Sequence, residues 1–363
     1  MSANINDTAI EFKTEISHFA AMSDTDAKIV SNMVSKQPTA NVAPQSIPVP
    51  PNDRPIVVAA MYKFVCLDDL DALRGPLVTQ CHKAGLYGTI LIAHEGINGT
   101  ISGDHAGISQ LVDWLQAHPL FCGITPKYSF VSEHAFNRMK VRIKKEIVSM
   151  GQPDIDPSNR VGRYVKPEDW NGLINAEDTL VIDTRNHYEV AIGSFEGAVN
   201  PMTDSFRDFP EWVDNYINAL PEGEQPENIA MFCTGGIRCE KSTSYLVSKG
   251  FKNVFHLEGG ILKYLETVEP DGSCWQGECF VFDHRVSVGH GLKPGKYDLC
   301  HACRMPISQD EKLQPTYVAG QSCPKCHDSL SEDQKQRFAQ RQKQIALARE
   351  RGEKHIGPPE VDA

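Results

Sequence analysis

Apolar residues recur along this chain with two periods, and the switches between them mark out its elements. "PIVVAAMYKFV" is a nearly continuous apolar run of the length expected for a buried strand. "LDDLDALRGPLVTQCHKAG" spaces its apolar residues as an amphipathic helix, interrupted near Gly75-Pro76. "YGTILIAHEGINGTISG" predicts two strands, with Asn98-Gly99 a tight turn near the second. "HAGISQLVDWLQAH" returns to helical spacing, and "KYSFVSEHAFNRMKVRIKKEIV" closes with a strand. The order βαββαβ over about 56–150 predicts a ferredoxin-like α/β domain.

A linker containing "GQPDIDPSNRVG" leads to a second unit, about 166–270. There "LVIDTR" and "NIAMFC" read as short central strands, while "SFRDFPEWVDNYINAL" and "EKSTSYLVSKG" read as helices, followed by "VFHLEGG". Strands alternating with helices predict a doubly wound, mainly parallel sheet covered on both faces. Residues 271–363 change character, with paired cysteines, few long apolar runs and a charged helical tail. Residues 1–55 are rich in proline and small polar side chains and predict a poorly ordered leader; a helix within 8–35 fits the pattern but carries no role.

At 363 residues the chain has room for two or three domains, and 40% hydrophobic with 23% charged residues is a globular balance. No apolar run approaches the roughly 18 residues of a membrane span, and no basic patch precedes an apolar core at the N-terminus. The expectation is a cytoplasmic protein with neither membrane nor DNA as partner. In that compartment eleven cysteines point to metal binding or catalysis rather than disulfides.

The net charge of −11 argues against a polyanionic partner until its distribution is read. Residues 166–270 hold 8 basic and 18 acidic side chains, whereas Arg138–Glu146 carries five basic residues and one acid, and Lys335–Lys354 seven and two. In "RMKVRIK", Arg138, Lys140, Arg142 and Lys144 fall on one strand face and Met139, Val141 and Ile143 on the other. This is either a solvated edge strand or a phosphate-holding one, since four like charges on one face repel unless an anion relieves them. The tail residues Arg337, Arg341, Lys343, Arg349 and Arg351 offer a second basic strip or a plain solvated helix.

"MFCTGGIRCEKS" places Cys233 where a buried strand stops, at the sheet end where α/β proteins collect their chemistry. Gly235 and Gly236 let the backbone curl around the sulfur, the following helix presents its positive end, and Arg238 adds a charge. Each favours a thiolate. The loop Cys233, Thr234, Gly235, Gly236, Ile237, Arg238 is one residue shorter than the Cys-x5-Arg phosphate loop of cysteine phosphatases and better suits a sulfur atom or another small group. Asp183-x-Arg185, Glu189, Gly197-Ala198-x-Asn200, this loop and the Gly250-Phe251…Leu257-x-Gly259-Gly260 close together resemble a rhodanese domain, which implies a Cys233 able to carry a persulfide.

The flanks narrow the resemblance. "LIAHEGINGTISG", "MKVRIKKEIVSMG", "CTGGIRCEKS" and "GECFVFDHRVSV", in that order, resemble the tRNA uridine hydroxylase family from about residue 56 to near 355. That resemblance implies oxidation of the wobble uridine of tRNA to 5-hydroxyuridine, with molecular oxygen as co-substrate, a reductant the sequence does not identify, and Cys233 as the active cysteine; Arg238 and the loop amides are the expected catalytic stabilisers of its anion. It also implies tRNA as partner; a single-stranded anticodon loop suits this architecture, and the basic pattern offers Arg138, Lys140, Arg142 and Lys144, with the tail residues Arg337, Arg341, Lys343, Arg349 and Arg351, as candidate contacts. Sulfur transfer from a Cys233 persulfide to tRNA or a protein is the alternative that the rhodanese unit alone supports.

Cys300-x2-Cys303 and Cys323-x2-Cys326, 19 residues apart, have the spacing of a four-cysteine zinc site; a redox pair or iron–sulfur cluster stays open. Cys239 is read as a packing residue or a resolving thiol, Cys274 and Cys279 as structural, and Cys66, Cys81 and Cys122 as core residues. Asp183 and Arg185 are read as a bracing ion pair. His94 is read as a satisfied loop histidine, although with Glu95 it has the chemistry to line a nucleotide site.

Overall fold

The computed structural model describes residues 34–35, 47–221 and 225–352. Most of the expected leader, including the helix within 8–35, lies outside the described residues. Of that leader, β1 (Val34–Ser35) pairs antiparallel with Val165 and Tyr164.

The N-terminal domain consists of β2 (Ile56–Phe64), α1 (Leu70–Lys83), β3 (Tyr87–Ala93), β4 (Gly96–Gly103), α2 (His105–Ala117), β5 (Lys127–Val131) and β6 (Met139–Ile143). Its sheet runs β5-β2-β4-β3-β6, a ferredoxin-like arrangement with one strand added. Val57, Ala59, Met61, Ile90 and Ile101 face α1 and α2 and bury against Leu77, Ile108 and Leu111. Asp69 and Asp104 cap the two helices by accepting the Ala72 and Gly107 N–H bonds at 2.9 and 2.6 Å.

Three local expectations change. Helix α1 runs unbroken through Pro76, because both Pro76 and Ala72, whose carbonyl loses its partner, face solvent. Asn98-Gly99 lies inside β4 and the turn falls at His94-Glu95. A Cβ on Gly99 would sit 2.8 Å from the Thr89 carbonyl oxygen, so this glycine serves close strand packing. The segment expected to end in one strand forms two, at opposite edges: β5 pairs with β2, and β6 joins β3 in parallel.

The second domain contains β7 (Arg163–Val165), α3 (Pro167–Ile174), β8 (Thr179–Asp183), α4 (His187–Val190), β9 (Gly193–Phe195), α5 (Phe209–Asn218), β10 (Asn228–Phe232), α6 (Ile237–Ser248), β11 (Val254–Leu257) and α7 (Gly260–Thr267). Strands β7, β11, β10 and β8 are parallel in that spatial order, with β1 antiparallel at the β7 edge. Helices α3 and α7 pack through Trp170 and Tyr264 on one face, and α5 and α6 pack through Phe209 and Leu246 on the other. This is the doubly wound sheet read from the sequence, with β10 between two strands and its end pointing at the cysteine loop.

The C-terminal region has a three-residue ladder of Trp275–Gly277 on β9, otherwise two-residue ladders, and a small cluster of Cys300, Ile307, Cys323 and Cys326, followed by α8 (Glu332–Glu350). Among the described residues no helix is long and apolar enough to cross a membrane.

Candidate functional site

Cys233 follows β10 directly, and its side chain is fully buried. The chain then turns through Gly236, whose φ of 99° is the left-handed conformation a glycine adopts freely, and enters α6. The Gly236 N–H donates to Cys233 Sγ at 3.1 Å. The loop carbonyls are occupied as well: Cys233 O accepts from Ile261 N–H and Thr234 O from Leu262 N–H, both at 3.0 Å, which locks the loop to the start of α7. Gly260 makes that approach possible. A Cβ there would lie 2.5 Å from the Cys233 carbonyl oxygen.

Burial alone pushes the Cys233 thiol up, and it is overcome. The Cys239 thiol, the Arg238 charge and the N–H groups of Cys239 and Gly236 together bring Cys233 down to about 5. Burial and the neighbouring sulfur anion push Cys239 the other way, well above the ordinary thiol range, so it stays the proton donor of the pair. Its sulfur also lies 3.7 Å from Thr184 Oγ1. Cys239 therefore belongs to the site through this hydrogen bond, and not only to the packing.

Arg238 does not reach the sulfur by hydrogen bond. It forks onto Glu189, Nη1 to Oε2 at 2.6 Å and Nη2 to Oε1 at 2.8 Å, with Nη2 3.3 Å from Thr234 Oγ1. Burial would raise the Glu189 carboxyl, but Arg238 and Arg185 outweigh it and hold the group below the usual carboxylate range. Arg238 thus acts on Cys233 through its field and by bracing the loop. Asp183 and Arg185 form the expected bracing pair, fully buried at 2.6 Å.

The N-terminal domain completes the site. Lys127, at the start of β5, donates to the Gly235 carbonyl at 2.7 Å, and its ammonium lies 5.2 Å from the centre of the Tyr62 ring. Tyr62 on β2 donates to Glu240 Oε1 at 3.1 Å, and Tyr164 on β7 donates to both oxygens of the same carboxylate at 2.9 and 2.8 Å. Burial raises Glu240 to about 7, against the two phenol hydrogen bonds and the Lys127 charge, which pull it down. Lys241 is buried against Glu95 at 2.9 Å and Glu146 at 2.8 Å, both from the N-terminal half of the chain. Sequence reasoning passed over Tyr62, Lys127, Tyr164, Glu240 and Lys241. The one available signal was a run of charged and hydroxyl residues directly after the reactive loop.

Comparisons with known proteins match this layout. Residues 56–147 match the UPF0176 acylphosphatase-like domain, and residues 166–267 match the rhodanese-like domain. A protein named tRNA uridine(34) hydroxylase from Acaryochloris marina is 55% identical over 301 residues, covering 83% of this chain and 96% of that one. Its namesake in Mesorhizobium japonicum is 54% identical over 305 residues, covering 84% and 97%. The chain belongs to the tRNA uridine(34) hydroxylase family. Among solved structures, a rhodanese-like domain from Anabaena sp. aligns with 31% of this chain and 78% of its own at 18% identity and a TM-score of 0.25, a likeness too slight to build on.

The other predicted residues of this family member sort as follows. Arg138, Arg142 and Lys144 are exposed and Lys140 is half-buried, and among the described residues no ion pair or side-chain hydrogen bond engages any of the four. Met139 and Val141 are buried as the alternation requires, but Ile143 is 39% exposed where the strand ends. Cys300, Cys303, Cys323 and Cys326 converge, their sulfurs all within 4.8 Å of one another and three pairs at 3.7, 3.7 and 4.0 Å. Four thiolates around a zinc with Zn–S of about 2.3 Å lie about 3.8 Å apart, so the residues present fit that ion.

Of the tail, Arg337, Lys343 and Arg351 are exposed, while Arg341 donates to the His301 and Gly320 carbonyls and ties α8 to the cysteine cluster. His94 accepts its loop role, Nδ1 lying 2.7 Å from the Leu67 carbonyl. Glu95 accepts from the Ile147 N–H at 2.6 Å and from Lys241, so it joins the domains. Cys81 and Cys279 are buried and Cys274 half-buried, but Cys66 and Cys122 are exposed, contrary to the core reading. Both sit in connections just outside an element, where neighbouring apolar residues do not imply burial.

Proposed function

We propose that this chain hydroxylates uridine 34, the wobble base of tRNA, at C5 to give 5-hydroxyuridine, with Cys233 as the reacting group. Membership of a family whose named relatives align over 96–97% of their length supports the activity. The single structural observation behind the residue assignment is the Cys233 sulfur at the carboxyl end of β10, accepting the Gly236 N–H at 3.1 Å in surroundings that favour the thiolate.

C5 of uracil is weakly reactive alone. Addition of the Cys233 thiolate to C6 raises electron density at C5, where an oxygen species derived from molecular oxygen is captured; loss of the C5 proton and of the thiolate then restores the ring. Two electrons from a separate reductant and two protons reduce the second oxygen atom to water. Because Cys233 is closed off in this structure, a base reaches it only when the Tyr62–Glu240 contact beside the loop parts, or when a persulfide extends the sulfur outward. A flipped-out anticodon base suits such a pocket. The Arg138, Lys140, Arg142 and Lys144 strip supplies backbone contacts, the four-cysteine cluster holds a structural zinc, and the enzyme works in the cytoplasm with its tRNA.

Mass spectrometry of tRNA nucleosides tests this. A deletion strain carrying the wild-type chain should contain 5-hydroxyuridine derivatives, and one carrying Cys233→Ala should lack them. Normal abundance with Cys233→Ala would remove Cys233 from the reaction. The persulfide-compatible loop keeps sulfur transfer as the second reading, and loss of thiolated bases instead of hydroxylated ones would select it.

A further inference from the structure

The two basic features of the N-terminal domain stand at opposite edges of one sheet and on one face of it. Cross-strand register places Lys127, Ala60, Thr100, Thr89 and Lys140 in a single row across all five strands. The next row runs Tyr62, Asn98, Leu91, Arg142, but its middle is covered, Asn98 Nδ2 donating to the carbonyl of buried Ile147 at 2.9 Å, so the first row is the open one. Both rows alternate with the residues that bury against α1 and α2, so they belong to the face that neither helix covers. One end of this face touches the cysteine loop through Lys127 and the helix after it through Tyr62; the other carries the basic side chains of β6, which have no ion-pair partner among the described residues.

We propose that this helix-free face is a platform for single-stranded RNA, leading from the basic edge strand β6 to the cysteine loop. The proposal rests on the tRNA reading above and adds to it the surface along which the anticodon loop lies.

Charge directs a polyanion here. The rhodanese unit carries ten more acidic than basic side chains, so phosphates are repelled from most of the surface around Cys233. The β6 edge is the reverse: Lys140 is lowered by partial burial and by the neighbouring Arg138 and Arg142 charges, a repulsion that a phosphate would relieve. The second basic strip is partly committed, since Arg341 is tied to backbone carbonyls.

The composition of the face fits unpaired bases. Thr89 and Thr100 are half-buried and offer hydroxyls, Leu91 offers apolar surface beside them, and the half-buried Tyr62 ring closes the loop end with its own hydroxyl committed to Glu240. Phe64 stands beside Tyr62 at 6.2 Å, edge to face, giving a second ring on the same face. Sheet faces with exposed rings take single strands because splayed bases stack on them, which a duplex cannot do. Four inter-strand steps of about 4.8 Å make the row about 19 Å long, enough for a short segment and not for a whole tRNA arm.

Full-length protein and its substrate tRNA, with the isolated anticodon stem-loop alongside, give the test by fluorescence anisotropy. Thr89→Glu puts a negative charge in the middle of the row and should weaken binding about tenfold at about 0.1 M salt. Gln110→Glu adds the same charge on exposed α2, behind the sheet, and should leave affinity unchanged. Lys140→Gln should reduce the slope of log K against log salt by about 0.7, the value for one single-strand phosphate contact. Photocross-links from 4-thiouridine beside the target should fall on β3, β4 or β6. If Thr89→Glu keeps its native melting transition and binds like Gln110→Glu, or if cross-links fall only on α8, the platform is wrong. In that case, hydroxylation by the wild-type protein would leave the tRNA reading standing, whereas a wild-type protein that neither binds nor modifies tRNA overturns both.

Discussion

Glu240 and Cys233 are buried in the same small volume, yet their environments push them in opposite directions. The carboxyl rises to about 7 and the thiol falls to about 5, so near neutral pH the sulfur is the anion and the carboxyl is half protonated. The rise has a thermodynamic consequence. Between the unfolded carboxyl value of about 4.3 and the folded value near 7, the native state keeps a proton that the unfolded chain releases. Stability from this group is therefore full at low pH and falls as pH rises through that window. Glu240→Gln cannot ionise and keeps an acceptor for Tyr62 and Tyr164, so it should match the wild type near pH 4 and exceed it above pH 7. The gain should be on the order of 3–4 kcal/mol in denaturant melts. Equal stability of the two proteins at pH 8 would mean that this carboxyl is not raised. The thiol carries a second expectation: Cys239→Ala removes a hydrogen-bond donor to the Cys233 sulfur, so the acid limb of thiol reactivity should move to higher pH.

Helix α6 shows how far the elements were legible. Its existence and its place after the cysteine loop followed from the apolar strand, the two glycines and the return of helical spacing. Its surroundings did not. "IRCEKSTSYLVS" reads as a helix with a solvated face, but every residue from Arg238 to Leu246 is buried. Glu240, on Tyr164 and Tyr62, and Lys241, on Glu95 and Glu146, are satisfied by partners more than 70 residues away, and sequence spacing carries no record of such pairs. The same limit applies to β6: alternation identified it as a strand and allowed an edge position, but its parallel pairing with β3 comes from the chain crossing from one side of the sheet to the other. Local pattern was most informative where ligands are close in sequence, as at the two Cys-x2-Cys turns. Purified protein should contain one zinc per chain by elemental analysis, and Cys323→Ser should lose it and expose residues 298–330 to proteolysis. Metal-free, protease-resistant wild-type protein would show that packing alone holds the cluster.

Across the whole molecule the reactive loop is shared property. The rhodanese domain supplies the sulfur, but Lys127 and Tyr62 come from the N-terminal sheet, and the two domains are held in register by one buried ammonium. Lys241 donates to Glu95, Glu146 and the Val148 carbonyl and has no exposed surface, while both carboxylates keep some. Burial would raise the Glu146 carboxyl, but Lys241 and the Met150 and Gly151 N–H groups hold it below its ordinary range. Removing the cation alone leaves two carboxylates facing each other across an interface from which water is largely excluded. Breaking a buried pair this way typically costs about 3–5 kcal/mol, while removing all the charges together costs far less. Lys241→Met should therefore lower the unfolding midpoint sharply, and Lys241→Met combined with Glu95→Gln and Glu146→Gln should recover most of the loss. Hydroxylation should stay depressed in the triple variant, because stability returns without the clamp that sets Tyr62 and Lys127 against the loop. A single variant that melts like the wild type would mean apolar contacts alone hold the domains together. A triple variant with full activity would mean the loop needs no such alignment.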